Sequence, residues 1–278
     1  MRCRKILIGF DGTGSIGPEI DFVSRYLVAD QALVVGAVLR KYTTVKLPCK
    51  CKCNGQLTCA GRRKAGSVLE NMAHRLEVAG EEKGFRTLVR KDLGMNITDL
   101  VQETRFADLL VLSQRTWRKI SRGIDRLDQA TVPAWECPLL ILPDTTENFE
   151  QVILTYNGSS DAMQGIKQFS YMLPELTGSL PVTILATYHP AAAPASSEEK
   201  LFIEYLKEHF GEVAFHKVDQ HSEHTLLSAV GLNEKCLVII NDRSPKELTL
   251  LNSLLTPHSN TMIPVELYTG RPALTINR

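Results

Sequence analysis

Residues 5–13 read KILIGFDGT, and residues 151–159 read QVILTYNGS. Each is a short run of Ile, Leu and Val that stops at a small polar residue, a glycine and a hydroxyl residue. An apolar run of that length, bounded by glycine, has the pattern of a strand buried on both faces of a parallel sheet. The turn behind it is Asp11-Gly12-Thr13 in one place and Asn157-Gly158-Ser159 in the other. In an α/β domain the first strand–helix loop presents ligand groups there, at the carboxyl end of the sheet. Two such strands, each opening about half of the 278 residues, predict two copies of one domain.

Working outward from residues 5–10, strands are expected at 32–39, 85–89, 108–113 and 137–142. Helices are expected between them at 18–30, 62–83, 96–106 and 116–129. Pro18 suits a first helical turn, and Ile20, Val23, Leu27 and Val28 form a stripe of helical period. In the long second helix Val68, Met72, Leu76 and Val78 or Ala79 face inward, and Asn96 or Thr98 can cap the third. The alternation restarts with strands at 152–156, 181–187, 213–218, 236–240 and 262–267, and helices at 161–172, 196–210, 223–230 and 245–255. Alternating strands and helices at this spacing make a parallel α/β sheet. Residues 1–143 form the first domain, 144–150 (DTTENFE) a linker and 151–278 the second domain. The offset between copies is 146 residues at the first strand and 128 at the fourth. The extra residues of the first copy fall where a polar, cysteine-rich loop, 43–61, is expected.

The composition, 44% apolar and 23% charged, is that of a globular chain able to bury a full core. No apolar run approaches the roughly 20 residues of a membrane span, and the basic N-terminus is followed by too short an apolar stretch for a signal peptide. A cytoplasmic setting is the expectation, with neither a membrane nor a nucleic acid as partner. The net charge of +1 divides into +7 over residues 1–144 and −6 over 145–278. Either the halves attract each other, or the first half binds an anion.

The pieces together resemble a tandem universal stress protein. The matching motifs are Asp11-Gly12-Thr13, the run Ala107-Asp108-Leu109-Leu110-Val111-Leu112, and Cys137-Pro138-Leu139. In the second half they are Asn157-Gly158-Ser159, Cys236-Leu237-Val238-Ile239-Ile240 and Ile263-Pro264-Val265, a looser set. The resemblance implies two Rossmann-like five-stranded parallel sheets flanked by helices, with strand order 3-2-1-4-5. It also implies pairing of two units through their fifth strands, internal to a tandem chain or between chains of a homodimer. Asp11 resembles the family's strand-one aspartate near the nucleotide, and Asn157 stands in its place in the second half. As plain turn residues, both would bond their own backbone instead.

Members that bind ATP carry a Gly-x2-Gly-x9-Gly-Ser/Thr phosphate loop after strand four. Counted back from Cys137, those glycine positions fall near Leu112, Arg115 and Asp125, and the second half has no glycine from Leu232 through Val265. The resemblance therefore implies that the usual ATP site is lost in both halves. A replacement is offered by Ser113, Arg115, Arg118 and Lys119 at the start of the fourth helix, where the helix dipole and guanidinium groups could hold an anion. The alternative is a solvated basic helix face. With Asp11, Gly12 and Thr13, these residues make up the candidate ligand site. Gly12-x-Gly14-x-x-Gly17 also fits a dinucleotide fingerprint, although strand two ends in Leu39-Arg40-Lys41 without the expected acid.

Cys49, Cys51, Cys53 and Cys59 fall within eleven residues. Four thiolates can close a tetrahedral zinc site, with Lys50 and Lys52 offsetting its charge; a reversible disulfide and an idle loop are the other readings. Zinc and an adenine nucleotide are thus the candidate cofactors. The expected function is that of a non-catalytic, universal-stress-type protein acting through an unknown protein partner or a small anionic ligand. The rival is a nucleotide- or dinucleotide-binding enzyme with a redox or zinc-binding cysteine loop.

Overall fold

The computed structural model describes residues 4–12, 15–27, 32–39, 59–90, 95–124, 135–143, 149–188, 197–219, 235–240 and 262–266. Side chains are described over the same ranges except 59–69, 121–124, 187–188, 197, 218–219, 240 and 262–266. The expected helices at 223–230 and 245–255 lie outside them.

The first stretch, KILIGF, is strand β1 (Lys5–Phe10), buried at every position after Lys5. Then come α1 (Gly17–Tyr26), β2 (Leu33–Val38), α2 (Cys59–Lys83), β3 (Arg86–Val89), α3 (Ile97–Thr104), β4 (Leu109–Ser113) and α4 (Gln114–Ile124). The four strands are parallel in the order β3-β2-β1-β4. β1 is central, and this is why it reads as an unbroken apolar run: helices cover both faces of a parallel sheet. The inward residues of α2 are Met72 and Leu76, whereas Val78 is exposed. Of the two expected caps on α3, Asn96 takes the role: its Oδ1 accepts from the Asp99 N–H at 2.8 Å, and Asp99 Oδ2 accepts from the Asn96 N–H at 3.1 Å. Farther along α3, Glu103 accepts from Lys5 Nζ at 2.7 Å and from Arg90 Nη2 at 2.5 Å, fastening that helix to β1 and to the residue after β3.

The chain divides into two compact units at Cys137–Pro138. The second holds β5 (Leu139–Leu142), β6 (Gln151–Tyr156), α5 (Ser160–Met172), α6 (Pro174–Ser179), β7 (Val182–Tyr188), α7 (Ser197–His209), β8 (Val213–Asp219), β9 (Cys236–Ile240) and β10 (Met262–Glu266). Five strands run parallel in the order β8-β7-β6-β9-β10, which is 3-2-1-4-5. β5 closes the first repeat by sequence but belongs to the second compact unit, where it pairs antiparallel with β10. Helix α6 is missing from the sequence reading. Its PELTGS contains Pro, Gly and Ser and so reads as a turn, yet Pro suits a first turn, and burial of Leu176 and Thr177 holds the short helix down. Among the described residues, no helix is long and apolar enough to cross a membrane.

Candidate functional site

Where β1 ends, Asp11 is followed by Gly12 at φ 74°, a left-handed turn that glycine enters without a Cβ penalty. Gly158 repeats this at φ 79° after β6. The second-copy turn serves itself: Asn157 Oδ1 accepts from the Ser159 N–H at 3.0 Å, and Ser159 Oγ caps α5 by accepting from the Ala162 N–H at 3.0 Å. That is the plain turn role anticipated for Asn157.

In the first copy the aspartate reaches across the fold. Gly9 on β1 pairs in register with Leu112 on β4, so the start of α4 stands beside Asp11. Lys119, on the second turn of α4, donates from Nζ to Asp11 Oδ2. The aspartate side chain is 8% exposed and the lysine 43%. The pair puts a cation from α4 onto the carboxylate at the end of β1.

The junction beneath this pair is tight. β4 ends at Ser113 and α4 begins at Gln114, so no residue separates strand from helix. Ser113 is buried, and its Oγ accepts from the Thr116 N–H at 3.2 Å, with Thr116 Oγ1 at 2.9 Å. A serine in that position caps the helix by satisfying an amide of the first turn. Thr116, Trp117 and Ile120 are buried, while Arg115 and Lys119 share the exposed side and Arg118 is half-buried. The first turn of α4 carries no acidic residue. An anion approaching from solvent would therefore meet the positive end of the dipole and Arg115, with Lys119 already directed at Asp11.

The structure thus brings Asp11 and Lys119 together. Ser113 caps its own helix, Arg115 is exposed on α4 and Arg118 is half-buried there. Thr13, Cys49, Cys51 and Cys53 lie outside the described residues, as does the side chain of Cys59. Among the described residues, no group of three or more His, Cys, Asp or Glu side chains could hold a metal ion. Of the dinucleotide fingerprint, Gly14, the glycine that would let the backbone approach a pyrophosphate, lies outside the described residues. The Gly17 N–H donates to Ser15 Oγ at 3.1 Å, and the buried carboxylate of Glu19, in the same first turn of α1, is unfavourable to a pyrophosphate at that helix start. Ser15 Oγ also accepts from Arg75 Nη1 at 2.9 Å. Missing from the sequence reading were the Asp11–Lys119 partnership, spanning 108 residues, and a cavity in the second unit between α5 and α7. Only the i, i+3 spacing of Phe202 and Tyr205 hints at the latter.

The chain matches no protein-family profile and no curated protein sequence. Its structure is similar to that of a universal stress protein from Archaeoglobus fulgidus: TM-score 0.61, 13% identity, covering 96% of this chain and 97% of the other. It also aligns with the cytoplasmic domain of a prokaryotic cation chloride cotransporter at TM-score 0.46 and 11% identity, covering 96% of each chain. The first comparison shows the fold: this chain is a doubly wound α/β protein with the architecture of a universal stress protein.

Proposed function

We propose that this is a non-catalytic stress-response protein of the universal stress type, acting through a protein partner or a small anionic ligand rather than by turnover. The observation that supports it is the Asp11–Lys119 pair above a β4–α4 junction without a loop. A phosphate loop needs successive backbone N–H groups free to curl around oxygens. Here strand passes directly into helix, and the serine at the junction caps it. The lysine neutralises the aspartate that, in the family this chain resembles, lies near the nucleotide. A small anion held by Arg115 and Arg118 fits that arrangement better than ATP does. A cytoplasmic setting belongs to the same reading.

Thermal melts with MgATP, AMP, NAD(H), inorganic phosphate, zinc and EDTA test it. A ligand at a hundred times its Kd stabilises by about 2.7 kcal/mol. For a chain of this size that is a rise of at least about 5 °C. Phosphate is expected to raise the Tm of the wild type and not of the Arg115→Ala/Arg118→Ala double variant. A rise of that size with ATP would overturn the proposal, and one with NAD would favour a dinucleotide enzyme. Metal analysis of protein purified under reducing conditions tests zinc at Cys49, Cys51, Cys53 and Cys59.

A further inference from the structure

The second unit contains a cavity of about 420 Å³, between α5 and α7 and beside the carboxyl end of β6. That volume lies within the roughly 300–1,000 Å³ usual for small-molecule sites. Its chemistry differs from that of the Asp11–Lys119 region. The inner wall is aromatic: Phe202 is buried, and the Tyr156 ring stacks on it at 4.0 Å between centroids and 21° between planes. Phe215 supports Phe202 from behind at 6.2 Å. Tyr205 is anchored through its hydroxyl to Ser170 Oγ at 3.0 Å. Phe202 and Tyr205 are held by Phe215 and Ser170, which do not line the cavity, and Tyr156 stacks on Phe202, so the wall is formed before any ligand arrives.

The rim carries one charge of each sign. Lys167 on α5 lies 5.8 Å from the Tyr205 ring centroid, and Glu198 on α7 lines the same cavity; both are exposed. Burial, reinforced by the Glu198 charge, pushes the Tyr156 phenol pKa up, so Tyr156 stays a proton donor at neutral pH. A polyphosphate entering here would meet the Glu198 carboxylate, with a single ammonium to offset several negative charges. A ligand with one cationic and one anionic end meets a complement for each.

We propose that this cavity binds a small zwitterion with an aromatic body, having the size and charge pattern of an aromatic amino acid. Its ring lies against Tyr156, Met163 and Phe202, its carboxylate is turned to Lys167 and its ammonium to Glu198. Offset ring contacts and a methionine sulfur at a ring edge each favour an aromatic body over an aliphatic one of equal area.

Saturation-transfer NMR and calorimetry on the full chain test this, with L-phenylalanine, 2-phenylethylamine, 3-phenylpropionate and L-alanine as probes. Phenylalanine is expected to bind at least tenfold tighter than each analogue lacking one of its three features. Met163→Trp, which fills the cavity, should abolish binding. Glu198→Gln, at an exposed position where folding is not at stake, should erase the preference for phenylalanine over phenylpropionate. Circular dichroism establishes that both variants fold. Three results would overturn the proposal: no saturation transfer to phenylalanine at millimolar concentration, undiminished binding to folded Met163→Trp, or displacement of phenylalanine by ATP.

Discussion

The Asp11–Lys119 pair lends itself to a double-mutant cycle. Asp11 is 8% exposed and Lys119 43%, so the pair is neither a surface contact nor a fully buried one. Two unit charges at about 4 Å interact by about 4 kcal/mol at an effective dielectric near 20. Freely exposed pairs retain only about 0.2–1 kcal/mol after screening and side-chain ordering. With one partner covered and the other half open, a coupling of about 1–2 kcal/mol is expected between these limits. Asp11→Asn, Lys119→Met and the double variant are compared by urea denaturation followed by circular dichroism. Lys119→Met should cost more than Asp11→Asn, because it strips this partner from a nearly buried carboxylate, whereas an amide carries no charge to strand. Raising the salt should shrink the coupling, since Lys119 reaches solvent. If the single losses sum to the double loss within about 0.3–0.5 kcal/mol, the two side chains are not coupled. The self-neutralised site then falls with that result.

The Glu103 bridge gives a pH-dependent prediction. Burial alone would raise its pKa, but hydrogen bonds from Arg90 and Lys5 outweigh it and hold the carboxyl below its ordinary 4.5. A depressed carboxylate stabilises the fold above its unfolded pKa, and that stability is lost as pH falls through the lower folded value. Glu103→Gln should therefore cost about 1–2 kcal/mol at neutral pH in thermal melts, and the gap should close in acid. On α2, a Cβ at Gly80 would lie 2.7 Å from Thr87 Cγ2 and 2.8 Å from the Phe85 carbonyl oxygen, which as backbone cannot swing aside. Helix propensity favours alanine by about 1 kcal/mol, but overpacking costs about 1–3 kcal/mol, so Gly80→Ala should lower Tm. Gly178→Ala, with no atom within 4 Å of its Cβ, should leave Tm level or raise it. Burial, chiefly, pushes the Cys137 and Cys236 thiols up to about 12 and about 11. Because the thiolate is the reactive form, mass spectrometry after alkylation should find both unmodified in the native state and labelled once urea unfolds the chain.

The repeat was legible because it is written in local patterns. KILIGF and QVILTY are apolar without interruption, since a strand between two helix layers has no wet face, and each ends in a glycine whose positive φ the turn demands. Helix periodicity and the Asn96 cap are likewise set by residues within a turn or two of each other. Helix α6 escaped because six residues with Pro, Gly and Ser hold too little periodicity to oppose their own turn propensity; packing of Leu176 and Thr177 decides it. The candidate ligand site was half legible. Asp11 and Lys119 were each singled out, but their partnership depends on β1 lying beside β4, a pairing between segments about a hundred residues apart. The aromatic cavity between α5 and α7 is of the same kind. Tyr156, Lys167, Glu198 and Phe202 are unremarkable where they stand in the chain and meet only because two helices pack on one sheet. Among the described residues, the sequence by itself determined the strands, the helices other than α6 and their duplication, because short-range periodicity encodes them. Which charges meet, and where a ligand could sit, depended on long-range register, and only the tertiary structure decided it.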